Sequence, residues 1–167
     1  MLGVGEKFPS FSLSVCGTVG EKDDFRAITA EDYSDKWKVY FFWGKNFTES
    51  GRDQLIEFAR LAPDFADCEA QLIGISIESE TAHAAWREID PALRDLPFPM
   101  LADTRRDLSG QLGILDETQG VAQPATFIVD QEHTIRFVYA VDTGVIPAAG
   151  EVLRVLADLQ DRGGGLS

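Results

Sequence analysis

The segment "WKVYFFW", Trp37 to Trp43, constrains the fold more than any other part of the sequence. An apolar and aromatic run of this kind is typical of a central strand that is covered on both faces. A short polar loop follows, and then "SGRDQLIEFARLAPDF" repeats apolar residues at helical spacing. A buried strand that leads through a short loop into an amphipathic helix predicts an α/β domain with a functional position at the helix start.

Two helices can be placed on the sequence by their caps and their apolar faces. For the first helix, Ser50 is the predicted N-cap, and the predicted inner face is Leu55, Phe58, Ala59, Ala62 and Phe65. A second buried strand, "AQLIGISIES", precedes the second helix, for which Ser79 is the predicted N-cap. The predicted inner face of that helix is Ala82, Ala85, Trp86 and Ile89.

The remaining segments indicate a mixed sheet. "FPSFSLSVC" alternates like a half-buried strand, "LPFPMLAD" is extended, and "TRRDLSGQLGI" predicts a short helix. "ATFIVD" and "TIRFVYAV" form a hairpin across "QEH", and "PAAGEVLRVLADLQDR" is a terminal helix. Crossover connections early in the chain and a hairpin late in it require both parallel and antiparallel pairing. We expect one domain, residues 1–160, and a flexible tail, residues 161–167.

Composition excludes several classes of function. The chain has 167 residues, 44% of them hydrophobic, and a formal net charge of −13. This acidity argues against binding to nucleic acid or to an anionic membrane by bulk charge. No apolar stretch is long enough for a membrane span, so a cytoplasmic protein is expected. The cysteines Cys16 and Cys68 form no CxxC, and His83 and His133 stand alone, so no metal and no cofactor is expected.

Several segments together resemble one known family. The segments "ITAEDYSDKWKVYFFWGKNFT", "DCEAQLIGISIESETAHAAWRE", "LPFPMLADTRRDLSGQLGI" and "ATFIVDQEHTIRFV" resemble peroxiredoxins of the alkyl hydroperoxide reductase C (typical 2-Cys) branch. The resemblance implies a thioredoxin-like fold of the peroxiredoxin variety, a mixed central sheet flanked by helices. It also implies a Pro-x-x-x-Thr-x-x-Cys motif at the start of the first long helix and an arginine just before the "TF" strand. A helix N-terminus favours the thiolate that attacks peroxide.

By this resemblance, most of the peroxidatic motif is replaced in this chain. Gly44 stands at the proline position, Gly51 at the cysteine position and Pro124 at the arginine position, while Thr48 is kept. A C-terminal segment with the resolving cysteine is also expected to be absent. Because a covalent mechanism requires its nucleophile, the leading hypothesis is a non-peroxidase with a binding, regulatory or assembly role.

Two features leave a redox function open. A displaced cysteine could serve a thiol peroxidase, although Asp67 and Glu69 beside Cys68 would raise the pKa of its thiol. Pro124 resembles the cis-proline of thioredoxin-type reductases, but the facing segment reads "TESG" and not CxxC. A cis Gln123–Pro124 bond and a rigid trans entry to the strand both remain possible at this point.

The helix start also allows a small-anion site. The hydroxyls of Thr48 and Ser50, the N–H groups near Gly51, and Arg52 could bind a carboxylate, phosphate or sulfate. The alternative is that the two hydroxyls only cap the helix.

The histidines receive no functional role in this interpretation. His83 and Trp86, one turn apart on the second helix, are interpreted as structural. His133 is predicted to be exposed in a hairpin turn.

The partner prediction follows from the last strand. An edge strand as apolar as "TIRFVYAV" needs a partner, which favours a homodimer. The resemblance implies that loops near "KNFTESGRD" can add ring contacts. Under the leading hypothesis, an active peroxiredoxin is a further predicted partner.

Overall fold

A seven-stranded mixed sheet forms the centre of the protein. The computed structural model describes residues 1–16, 26–142 and 144–165. The strands of the sheet are β1 (Ser12–Cys16), β2 (Ala27–Thr29), β3 (Trp37–Phe42), β4 (Ala70–Ser76), β5 (Met100–Ala102), β8 (Ala125–Val129) and β9 (Ile135–Ala140). Their spatial order is β2-β1-β5-β4-β3-β8-β9. Strands β3, β4 and β5 pair in parallel and the remaining pairs are antiparallel, so the predicted mixed sheet is confirmed.

Four helices and several short elements complete the described part of the chain. The helices are α1 (Glu49–Asp67), α2 (Glu80–Ile89), α3 (Asp107–Leu112) and α4 (Ala149–Gly165). Short 3₁₀ turns lie at Ala30–Tyr33 and Pro91–Leu93, and a separate two-stranded ribbon joins β6 (Leu115–Asp116) to β7 (Val121–Ala122). The sequence did not predict β2 or this ribbon, because strands of two or three residues are too short for a periodic pattern.

Strand β3 lies between two hydrophobic layers, as its composition predicts. Val39, Phe41 and Trp43 face the layer that contains α1 and α4, whereas Tyr40 and Phe42 face the opposite layer. All five are at most 1% exposed. Because alternate residues of a strand point to opposite faces, this sequence cannot form an amphipathic edge strand and is placed at the centre.

The inner face of α1 matches its prediction, but that of α2 differs. Trp86 is buried as predicted, while Ile89 is 71% exposed and the polar residues His83 and Arg87 point inward. The Arg87 guanidinium donates to the carbonyl oxygens of Leu93 and Arg94. A buried polar group requires partners, and these bonds fix the rotation of α2 against the apolar pattern of its sequence.

Helix α4 is longer than predicted at its C-terminal end. It continues to Gly165, so that residues 161–165, which the sequence assigns to a tail, are helical. Once a helix is anchored, each added residue gains a backbone hydrogen bond without a new nucleation cost, even across three glycines. Residues 166 and 167 of the predicted tail lie outside the described residues.

Candidate functional site

A cavity of about 110 Å³ opens at the start of α1, where the sequence predicts the functional position. It lies between the loop that follows β3 and the segment that precedes β8. The structure brings five of the predicted residues to its wall: Gly44, Thr48, Ser50, Gly51 and Pro124. Gln54, Gln119 and Val121 also line it. Segments that are about 80 residues apart in sequence therefore meet at one point, and the tertiary fold makes this cavity.

The N-cap of α1 is Thr48, which corrects the prediction of Ser50. The Thr48 hydroxyl accepts a hydrogen bond from the Gly51 backbone N–H at 3.2 Å and donates to the Lys45 carbonyl oxygen at 2.8 Å. Ser50 instead lies in the first turn of the helix. A hydroxyl two residues earlier can reach the free N–H groups because the N-cap residue has extended backbone geometry, and Thr48 has φ −110° and ψ 150°.

Gly51 is tightly enclosed by this cap. A Cβ at position 51 would lie 2.9 Å from the Thr48 hydroxyl oxygen and 3.0 Å from the Lys45 carbonyl oxygen. At Gly44 an added Cβ would make only ordinary contacts, the nearest at 3.6 Å to Val121. The Thr48 hydroxyl therefore occupies the space that a side chain at position 51 would need, while position 44 has room for one.

Arg52 lies away from this cavity. Its Nε donates to the Asp90 carboxylate at 2.5 Å, and the resulting ion pair lies in a separate groove with Phe47 and Trp86. The hydrogen bond to Asp90 raises the pKa of Arg52. The residues proposed together as an anion site are thus divided, with Thr48, Ser50 and Gly51 at the cavity and Arg52 in the neighbouring groove.

The Gln123–Pro124 peptide bond is trans, so the structure contains the rigid strand entry and not the cis-proline. Pro124 is buried beside the cavity, and its carbonyl oxygen accepts from the Val141 N–H at 3.0 Å. Burial and this hydrogen bond to the residue that follows β9 account for Pro124 without a redox role.

Both cysteines of the chain lie in the described ranges, and neither lines the cavity. Cys68 is the C-cap of α1, about 25 Å from Gly51 at the helical rise per residue. Burial, together with Asp67 and Asp64, raises the pKa of the Cys68 thiol.

Cys16 ends β1 and is 4% exposed, with the Arg87 guanidinium 3.8 Å from its sulfur. Burial raises the pKa of Cys16 more than Arg87 lowers it. Both thiols are therefore held away from the thiolate form that reacts with peroxide.

A buried polar chain, which the sequence did not reveal, supports the loop before α1. The Trp43 indole N–H donates to the Asn46 side-chain oxygen at 2.8 Å, and the Asn46 amide nitrogen lies 2.9 Å from His83 Nδ1. His83 Nε2 lies 3.1 Å from the Leu101 carbonyl oxygen of β5. The only available signal was a polar Asn46 placed between a buried strand and a helix cap, which is too common to identify such a chain.

The two histidines differ in environment. His83 is fully buried, in agreement with its structural interpretation. The His133 side chain is 25% exposed and lies 3.6 Å from Glu31, so it is less exposed than the hairpin position predicts.

Most of the chain matches one known protein family. Residues 4–138 match the AhpC/TSA family. The chain belongs to the AhpC/TSA family.

Relatives within the AhpC/TSA family cover nearly the whole chain. Alkyl hydroperoxide reductase C of Mycobacterium tuberculosis (strain ATCC 25618 / H37Rv) is 40% identical over 168 residues, which cover 96% of this chain and 86% of that protein. Alkyl hydroperoxide reductase C of Mycolicibacterium smegmatis is 38% identical with the same coverage of both chains. The resemblance to this branch of the peroxiredoxins is therefore confirmed.

Solved structures of AhpC/TSA proteins have the same fold. Mycobacterium tuberculosis AhpC superposes with a TM-score of 0.89 at 40% identity, covering 96% of this chain and 94% of that one. Enterococcus faecalis AhpC superposes with a TM-score of 0.92 at 26% identity, covering 100% and 98%. The thioredoxin-like fold of the peroxiredoxin variety is confirmed.

Within residues 1–16, 26–142 and 144–165, no helix is both long and apolar enough to span a bilayer. The same part of the chain contains no group of three His, Cys, Asp or Glu side chains placed to hold a metal ion.

Proposed function

We propose that this AhpC/TSA-family protein is not a peroxidase and acts as a binding, regulatory or assembly subunit. The observation that supports this most directly is the composition of the cavity at the start of α1. Gly51 stands where the family resemblance places the nucleophile, and Gly44 and Pro124 stand at two further positions of the motif. A glycine offers no atom that can attack peroxide, and removal of a covalent nucleophile removes the reaction.

The alternative is a thiol peroxidase that uses a displaced cysteine. The Arg87 guanidinium beside Cys16 favours this alternative, because a cation next to a thiol stabilises the thiolate. Its burial counts against it, since Cys16 is 4% exposed and its pKa is raised overall. Cys68 is more accessible, but Asp64 and Asp67 oppose its ionisation.

Peroxide consumption by the reduced protein with a dithiol reductant distinguishes these two functions. We expect a rate no higher than that of free thiol at the same concentration, and no change in Cys16→Ser or Cys68→Ser. A faster rate that is lost in one of these variants would establish the displaced-cysteine peroxidase.

The assembly role is proposed through β9, which is an edge strand of the sheet. Phe137, Val138 and Tyr139 are only half-buried there. An exposed apolar edge strand invites pairing with another chain. We propose a homodimer through β9, with further ring contacts or an active peroxiredoxin as additional partners. We also propose a cytoplasmic location, where a thiol such as that of Cys68 stays reduced.

Mass in solution, measured by light scattering, tests the proposed dimer. We expect a dimer for the unmodified chain and a monomer for Tyr139→Glu, because a buried charge at a pairing edge is costly. Thr118→Glu adds the same charge at an exposed turn and should remain dimeric. A monomeric unmodified chain would refute the dimer.

A small-anion site remains a second candidate because the Thr48 and Ser50 hydroxyls line the cavity at a helix start. Two contacts weaken it, since the Gly51 N–H is bonded to Thr48 and Arg52 is paired with Asp90. Thermal shifts with sulfate, phosphate and carboxylates, matched in ionic strength with chloride, test it. Absence of any shift beyond that of chloride would exclude it.

A further inference from the structure

Gln54 presents an unpaired acceptor to the cavity at the start of α1. Its side chain lines the cavity, and the residue is 2% exposed. The Phe42 carbonyl oxygen can only accept, so the end of the Gln54 amide that lies 3.0 Å from it is the nitrogen. The other end, Oε1, makes no hydrogen bond within the described residues. Because a buried carbonyl oxygen without a partner is costly, this atom requires a donor inside the cavity.

Thr48 adds a second acceptor to the same wall. Its one O–H donates to the Lys45 carbonyl oxygen, and one lone pair of its oxygen accepts the Gly51 N–H. A hydroxyl oxygen has two lone pairs, so Thr48 can bind a ligand only by accepting a further hydrogen bond. Pro124 has no backbone N–H to donate. These wall positions therefore match a ligand that donates hydrogen bonds, and an anion has none to donate.

Ser50 supplies the donor that complements these acceptors. It lies four residues before Gln54 in α1, and side chains with this spacing are neighbours on the helix surface, with Cβ atoms about 5–6 Å apart. The Ser50 hydroxyl lines the cavity, is half-buried and makes no hydrogen bond within the described part of the chain. One amide group can bridge the gap between these two side chains, with a hydrogen bond at each end.

The charge and the size of the cavity restrict the ligand further. Among the described residues, no Asp or Glu lines the cavity, so an organic cation would be buried without a counter-charge. Lys45 is exposed at the rim, where solvent and salt screen its charge. An apolar cavity of about 150 Å³ holds benzene, so one of about 110 Å³ suits a ligand of about four heavy atoms. The ligand is therefore small and uncharged.

We propose that this cavity binds a small neutral primary amide, whose N–H groups donate to Gln54 Oε1 and Thr48 and whose carbonyl oxygen accepts from Ser50. Such an amide carries the donor and the acceptor that the wall requires, and it has no charge. A carboxylate of the same shape has two acceptor oxygens and no donor, so it would place an oxygen against the oxygens of Gln54 and Thr48. This site rests on the proposed binding role, for which it names the ligand class.

Acetamide and acetate, which have nearly the same size and shape, test this proposal. We expect acetamide to bind the intact protein with saturable NMR shifts at the Gln54 side-chain amide and the Gly51 backbone N–H. Acetate, at an ionic strength matched with NaCl, should bind at least about tenfold more weakly, because it leaves both acceptors unpaired. Equal or tighter binding of acetate would overturn the proposal. So would the absence of saturable shifts up to about 100 mM acetamide, a generous limit for so small a ligand.

Three substitutions identify the contacts. Gln54→Met removes the acceptor at similar volume and should weaken acetamide binding about tenfold. Ser50→Ala removes one half-buried hydroxyl and should weaken it at least about threefold. Gln131→Met is the matched control, because Gln131 also donates to a backbone carbonyl oxygen but is exposed and far from the cavity in sequence. It should bind acetamide like the unmodified chain.

Unchanged acetamide affinity in either cavity variant would contradict the assigned contacts. If circular dichroism shows that Gln54→Met does not fold, Ser50→Ala decides the test alone. Acetamide binding is measured without peroxide, and peroxide consumption is measured without acetamide. Failure of the amide site is therefore distinguishable from failure of the proposed function.

Discussion

At the scale of single residues, the start of α1 leaves too little space for a side chain at position 51. We predict that Gly51→Ala lowers the free energy of unfolding by about 1 kcal/mol, because overpacking costs about 1–3 kcal/mol and helix propensity returns about 1 kcal/mol. Gly110→Ala, which enters open space within α3, should raise it by about 0.5–1 kcal/mol. Urea unfolding measures both, and stabilisation of equal size in the two variants would contradict the enclosure of Gly51.

Lys38 is a buried polar residue that destabilises the core. It is fully buried in β3, and its Nζ makes no hydrogen bond within the described residues. We predict that Lys38→Met raises the free energy of unfolding by about 1 kcal/mol at pH 7, since an unpaired buried polar group is costly. Lys36→Met, at an exposed position, is the matched control and should change stability by less than about 0.5 kcal/mol.

The pH dependence of the Lys38 effect can be predicted from the sign of its pKa shift. Burial lowers the pKa of Lys38 from its ordinary 10.5, so the unfolded chain binds its proton more readily than the folded chain. The penalty is complete below the folded pKa and disappears as the pH approaches 10.5. The stability gained by Lys38→Met should therefore shrink in alkaline urea titrations, and a gain that grows with pH would contradict this account.

At the scale of elements, the start of α1 depends on one hydroxyl. We predict that Thr48→Ala lowers the free energy of unfolding by about 1 kcal/mol, the usual cost of losing an N-cap acceptor. Ser50→Ala should change it by less than about 0.5 kcal/mol, because Ser50 lies inside the first turn and caps nothing. Denaturant midpoints compare the two variants directly, and a larger loss in Ser50→Ala would identify Ser50 as the cap.

Helices α1 and α2 also show where an apolar pattern is sufficient to predict the buried face of a helix. In α1 the pattern selects Leu55, Phe58 and Phe65, and all three are fully buried. In α2 the same reasoning selects Ile89, which is exposed, and omits Arg87, which is buried. The difference arises because α1 buries one neutral polar side chain, Gln54, beside its apolar face, whereas α2 must bring both His83 and the charged Arg87 to buried acceptors.

At the scale of the whole molecule, the net charge of −13 affects any self-association. Two copies repel each other over distances longer than the reach of the β9 contacts, and salt screens that repulsion. If the proposed dimer forms, its dissociation constant should decrease between about 50 mM and about 500 mM NaCl. Sedimentation at several salt concentrations measures this, and association that weakens with salt would indicate an interface held by opposite charges.

The sequence alone determined the layout of the core. A run as apolar as Val39–Trp43 can be satisfied only at the centre of a sheet, and the helical spacing after it fixes the inner face of α1. These features depend on local periodicity and on the cost of exposing apolar surface, so no distant contact is needed to predict them. The order of the segments was also sufficient for the family resemblance and for the positions of Gly44, Gly51 and Pro124 within it.

Only the tertiary structure decided which polar atoms meet. Thr48 rather than Ser50 caps α1, Arg52 turns to Asp90 and away from the cavity, and Asn46 bonds to His83 across 37 positions of sequence. A hydrogen bond requires its two atoms to lie within a few tenths of an ångström of the correct distance. That precision comes from the packing of distant elements, which no local pattern in the sequence encodes.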